Sequence, residues 1–236
     1  MLDFEEDYLI SLCMEYQDCF EKLNQTIEET GLSQEYGRGG GTLHRGFYCP
    51  SPVRDIIVGG CDRGRLVRKP RSDLPVDYVY LKEGDKLRIV DKYEIDRNNI
   101  PHIHLREFII HYETEEIAPT YSMDFDSHDF RYISLCRYDF SGRIIKYLTI
   151  VPNFSLAGDK LVVTKNKKRC YFTGEQYSYN EETGLLDTVV YGDKLNAFIS
   201  EYSYRFFQDE NGKLVSYQDI ERGTLREIAK KKQRFV

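Results

Sequence analysis

Tryptophan is absent from this chain, methionine occurs three times, and no apolar run approaches the ~20 residues that a membrane-crossing helix requires. A helical membrane anchor is therefore not expected. Six cysteines, at 13, 19, 49, 61, 136 and 170, are scattered without a CxxC pair or other metal-ligand spacing, and Cys13 and Cys19 fall in a helical pattern as small hydrophobes. The opening residues Met1 to Asp7 are acidic where a secretory leader is basic, so reduced thiols and a cytoplasmic location are the expectation. Positive charge is not in surplus either. A formal net charge of −6 sets aside a surface devoted as a whole to nucleic acid or anionic membrane. GxSxG, dinucleotide-binding, HExxH and kinase motifs are all missing. The glycine-rich stretch from Gly37 to Gly46 lacks phosphate-loop spacing and reads as a flexible linker.

What the chain does have is tyrosine, nineteen of them, together with thirteen phenylalanines, a composition that favours sheet. Its 236 residues are enough for folding to bury roughly 70–75% of the extended surface without staples. Arg137-Tyr138-Asp139-Phe140-Ser141-Gly142-Arg143 lies between two runs rich in β-branched and aromatic residues, the grammar of a hairpin. Similar turns recur at Asp62 to Gly64, Glu83 to Asp85, Asn180 to Gly184 and Asp209 to Gly212, and Asn211-Gly212 suits a tight type I′ turn. The expected fold is mainly β (α+β), an antiparallel meander of successive hairpins forming a curved sheet, in one domain spanning 1–236. Within it, 4–30 reads as an N-terminal amphipathic helix opened by an Asp3/Glu6 capping box and closed near Gly31. Residues 33–77 read as a loop-rich linker with one short hairpin through Ile56–Val58 and Leu66–Val67. The hairpin sheet occupies 78–220, and Thr224 with Glu227 opens a short C-terminal helix over 224–234.

Four of the five histidines lie between 102 and 128. On a strand His102 and His104 share a face, as two neighbouring metal ligands must, and Asp124, Asp126 and His128 are candidates to complete a divalent site that activates water. In a regular strand Glu107 and His111 face the other way. His44 with Cys49 or Cys61 is a candidate base and nucleophile pair. Basic runs at Arg63 to Arg71, Lys165 to Arg169 and Lys230 to Arg234 have the charge to meet phosphates, or simply keep loops and strand edges solvated.

Tyr138-Asp139-Phe140-Ser141-Gly142-Arg143-Ile144 resembles the YDxxGR[LI] core of the YD repeats of bacterial Rhs proteins, and Tyr177 to Leu185 is similar to a copy with one inserted residue. That resemblance implies β-hairpins in a spiral sheet. In general character, acidic and tyrosine-rich with one helix, the chain also resembles bacterial immunity proteins, which neutralise toxins by binding them. The functional expectation is a non-enzymatic protein-binding module without cofactor. Its partner would be a protein such as a basic toxin, docked through Tyr138, Tyr177, Tyr179, Tyr202 and Tyr204. The alternatives are a metal-dependent enzyme around His102 and His104, and nucleic-acid binding through the basic loops.

Overall fold

The computed structural model describes residues 1–27, 31–68, 76–124, 128–158 and 160–236. The alternating runs form sixteen antiparallel strands: β1 (Ser33–Arg38), β2 (Arg65–Val67), β3 (Tyr78–Glu83), β4 (Lys86–Ile95), β5 (Pro101–Phe108), β6 (Ile110–His111), β7 (Glu115–Ser122) and β8 (Phe130–Tyr138), then β9 (Ile144–Val151), β10 (Phe154–Ala157), β11 (Lys160–Val163), β12 (Tyr171–Tyr179), β13 (Leu186–Leu195), β14 (Phe198–Gln208), β15 (Leu214–Asp219) and β16 (Thr224–Glu227). Fourteen belong to one sheet in the order β16-β15-β14-β13-β12-β9-β8-β7-β5-β4-β3-β1-β2, with β6 paired to β7. β10 and β11 form a separate hairpin. From β3 onward the order follows the chain, which is the expected meander of hairpins.

Period-two alternation gives this sheet two chemically distinct faces. One is aliphatic and phenyl: Leu81, Ile89, Phe108, Ile133, Leu135, Leu148, Ile150 and Phe172 are buried there beneath α1 (Glu6–Tyr16) and α2 (Phe20–Thr26). Helices of 11 and 7 residues are marginal alone, so the apolar stripe of Leu9, Leu12, Cys13, Tyr16, Phe20 and Leu23 against the sheet holds them. The other face carries tyrosines, threonines and charge, and is covered by the segment that runs from Gly40 into α3 (Arg54–Ile57).

Several local expectations are overturned by tertiary contacts. The single helix over 4–30 is two, interrupted after Tyr16, whose carbonyl accepts the Tyr121 hydroxyl at 2.5 Å while the Gln17 side chain accepts the Val163 amide at 2.9 Å. No capping box forms, because Glu5 precedes α1 in the left-handed region and Asp3 instead accepts the Glu5 amide. Residues 28–30 of that expected helix lie outside the described residues. The expected linker contributes β1 and β2 to the sheet, Ile56 and Ile57 sit in α3, and Val67 pairs with Tyr36, so the short hairpin between them does not exist. The C-terminal helix is also absent. Thr224–Glu227 is the edge strand β16, since pairing with Ser216–Asp219 outweighs its local capping signal, and only a short 3₁₀ turn at Lys230–Lys232 follows.

Asp62 to Gly64 joins no hairpin, since β2 pairs with β1, but the turns at Asp139 and Asp209 form by one mechanism. Asp139 Oδ1 accepts the amides of Ser141 and Arg143, and Asp209 Oδ1 those of Asn211 and Lys213. Gly142 and Gly212 close these turns at φ 78° and 80°. Asn211 itself is not left-handed, so the turn there is the longer form ending in a glycine bulge, not type I′. Asn180 repeats the scheme with one extra residue, and Asp96 repeats it with Asn99 in the glycine position. Arg143 reaches across to the Gly184 carbonyl at 3.0 Å, which ties two of the turns together.

Candidate functional site

On the tyrosine-bearing face, Gly41–Arg45 and Arg54 roof a cavity of about 280 Å³ over six strands, β3, β4, β5, β7, β8 and β9, with β12 at its far side. Strand register supplies its floor. Val90 lies opposite Glu107, Glu107 opposite Thr120, and Thr120 opposite Tyr132, a polar row drawn from four strands. Thr149 and Thr173 form the neighbouring row and share a hydrogen bond of 2.6 Å.

The roof is held in place by its own close fit. Gly46 has φ 51°, and a Cβ there would stand 2.6 Å from the Tyr78 ring. Phe47 donates its amide to the Tyr80 hydroxyl at 3.1 Å, which in turn donates to the Arg45 carbonyl at 3.0 Å. This segment, expected to be a flexible linker, is an inward-facing wall.

Its side chains carry the charge. Arg45 is buried, 3.0 Å from Glu107, 2.5 Å from Glu116 and 3.0 Å from the Ser134 hydroxyl. His44 places Nδ1 on the Tyr147 hydroxyl and Nε2 3.0 Å from Glu107 Oε1, at ion-pair distance but off the line of a hydrogen bond. Burial opposes ionisation of Glu107, yet Arg45 and His44 beside it prevail and hold the carboxyl below its usual range. Burial pushes the Tyr132 and Tyr147 hydroxyls up, so both remain neutral donors at ordinary pH. Arg54 is sandwiched: Nε meets Glu175 at 2.5 Å, and the guanidinium lies over the Tyr147 and Tyr191 rings at 5.4 and 5.3 Å.

Four groups on this wall are left over, His44 Nε2 and three more. Thr120 Oγ1, Arg54 Nη2 and Arg45 Nε are buried without a hydrogen bond of good geometry, and Thr120 is 0% exposed, with the Tyr132 hydroxyl close by. Buried polar groups are ordinarily paired, which makes such a cluster informative.

The residues singled out from sequence lie elsewhere. His104 Nδ1 meets Asp124 Oδ1 at 2.7 Å and His102 Nε2 approaches the same oxygen at 3.4 Å, so the strand does present both imidazoles together. His128 instead stacks on Phe20 at 3.8 Å, with Glu21 3.5 Å away, and Asp126 lies outside the described residues. Among the described residues no group of three His, Cys, Asp or Glu side chains is disposed to hold a metal ion. Glu107, as expected, faces away from both histidines, into the cavity. Tyr177 is buried, its hydroxyl on Glu175, and Tyr138, Tyr179 and Tyr204 pack against the same cluster, while Tyr202 stacks on Tyr191. Cys49 makes no pair with His44, and burial pushes its thiol up to about 11. Of the basic runs, Arg63 and Arg234 turn inward to Asp55 and Lys232 to its carbonyl, while Lys69 and Arg71 lie outside the described residues.

No protein-family model and no curated protein matches the chain. Among solved structures it is similar to a protein of unknown function from Bacteroides fragilis, with 11% identity over 67% of this chain and 90% of that one. The TM-score of 0.23 carries no argument about fold or function. Among the described residues no helix is long and apolar enough to cross a membrane.

Proposed function

We propose that this protein binds a small molecule rich in hydrogen-bond acceptors in the cavity beneath Gly41–Arg45. The observation that supports it is Thr120, whose fully buried hydroxyl lies on the cavity wall beside the Tyr132 hydroxyl without a hydrogen bond of good geometry. Leaving such a group unmade costs roughly 1–3 kcal/mol, a cost that a bound acceptor would offset. The Arg54 guanidinium, fixed by Glu175 and two rings, adds a second unused donor with little freedom left to lose. A concave wall with convergent polar groups is the usual form of a small-ligand site.

A toxin-binding role for the tyrosines draws less support. Of the five expected contact tyrosines, Tyr177 is buried and Tyr138, Tyr179 and Tyr204 are half-buried against the cluster around Val189, Phe206 and Leu214.

Thr120→Val tests the cavity reading by two opposed effects. Removing an unsatisfied buried hydroxyl should leave folding unchanged or stabilise it by up to about 1 kcal/mol, while ligand affinity falls about tenfold. Ligand-observed NMR with a library of small carboxylates, amides and polyols measures the second effect, and thermal melting the first. A library with no binder for the wild-type protein, or hits that bind Thr120→Val equally, would sink the proposal.

A further inference from the structure

The polar row on the cavity floor does not stop at Tyr132. Ile133 opposite Ile150 sets Tyr132 beside Val151, and Val151 pairs with Tyr171, Tyr171 with Leu195, and Leu195 with Phe198. Directly opposed residues of antiparallel strands project to one face, so Glu107, Thr120, Tyr132, Val151, Tyr171, Leu195 and Phe198 form a single track.

Its chemistry changes along its length. Glu107 and Thr120 are buried and polar, whereas Val151, Tyr171, Leu195 and Phe198 are 45, 39, 44 and 71% exposed. Val151 and Tyr171 also line the cavity, so the apolar stretch begins at its mouth. The strip is one residue wide. The next row on the same face runs Thr149, Thr173, Asp193, Ser200, and on the other side Arg169 and Asn196 border the strand ends. Protein interfaces have apolar centres several residues across, so a strip this narrow, closed at one end by a polar pocket, suits a chain molecule.

We infer that the ligand of the proposed cavity is amphipathic. Its oxygen-bearing head group sits beside Thr120 and Arg54, and an unbranched hydrocarbon chain lies across Val151, Tyr171, Leu195 and Phe198. With strands ~4.8 Å apart, the five steps from Thr120 to Phe198 span about 24 Å, the length of about nineteen methylene carbons, and the last three of those steps, about 14 Å, lie on the apolar strip. The inference rests on the cavity being a ligand site, and it adds the class of ligand.

Calorimetric titration with free fatty acids and 1-monoacylglycerols of two to twenty-two carbons, each below its micellar concentration, separates head from chain. For a chain covered on one side, affinity should rise roughly twofold per added carbon and level off near nineteen. Leu195→Ser and Phe198→Ser should flatten that dependence while leaving the shortest ligands bound as before. The better-bound of the two series identifies the head as carboxylate or glycerol ester. Short members that bind with no gain from chain length would overturn the inference and leave the cavity reading standing. No binding by any member, together with no hit from the small-molecule library, would remove both. A wild-type dimer that light scattering shows dissociating in Phe198→Ser, without chain-length dependence, would make the strip a contact between copies and overturn the inference.

Discussion

Asp139 shows how one carboxylate organises a turn. The Arg143 amide, then its guanidinium and the Ser141 amide, bind the charged form and hold the carboxyl below its usual range, and the Ile100 and Asn98 amides do the same for Asp96. A carboxyl whose pKa is depressed on folding adds stability above its unfolded value, near ~4, and that contribution is lost as pH falls through the folded value. Both aspartates should therefore titrate below the ordinary carboxylate range in carbon-detected NMR. Asp139→Asn should preserve the turn, as Asn180 does with its amide oxygen, whereas Asp139→Ala should lower Tm. Arg45 is the opposite case, a buried cation between two buried carboxylates. Arg45→Met would leave Glu107 and Glu116 buried without their guanidinium, with only His44 and His111 beside them, at roughly 3–5 kcal/mol, and chemical denaturation should show a loss of that size. If stability is unchanged, the triad does not hold the loop.

Among the elements, the covering segment depends on the C-terminal tail. Asp55, 3% exposed, takes Arg63 at 3.1 Å and Arg234 at 2.6 Å, while Lys232 bonds its carbonyl and the Cys61 carbonyl. Asp55 is the neighbour of Arg54, so the clamp also positions a cavity residue. Asp55→Asn should raise hydrogen exchange in 49–63 and 228–236 together while amides of β8, β9 and β12 stay protected, and uncoupled exchange in the two segments would count against the clamp. These contacts also mark the limit of sequence reading. β4 and β9 are legible because alternation is local, whereas the residues of β7 are buried on both faces and leave little alternation to read. The wall from Gly40 to Tyr48 was illegible because its partners, Tyr78, Tyr80 and Glu107, are distant in the chain.

At the scale of the whole molecule, the division of labour between the two sheet faces explains why a hydrophobic core and a polar cavity fit one sheet. The candidate site was partly visible, since Tyr147-Leu148-Thr149-Ile150-Val151 and Tyr171-Phe172-Thr173-Gly174-Glu175 alternate polar or tyrosine with aliphatic or phenyl positions. What no linear reading supplies is the register that sets Thr120 beside Glu107 and Tyr132. Adjacent residues of β12 therefore answer to different requirements. Phe172 is 1% exposed against Phe4 beneath the helices, and Phe172→Ala should cost about 3–5 kcal/mol and lower the melting of the whole sheet. Thr173, one residue on, faces the cavity and shares its bond with Thr149 alone. Replacing both hydroxyls at once, Thr149→Val with Thr173→Val, removes a matched pair and should stay within about 1 kcal/mol of wild type. The same double variant makes the cavity less polar, so affinity for any acceptor-bearing head group should fall while the melting curve barely moves. Equal losses of stability from Phe172→Ala and the double variant would mean that both faces serve as core, and that the cavity is a packing defect.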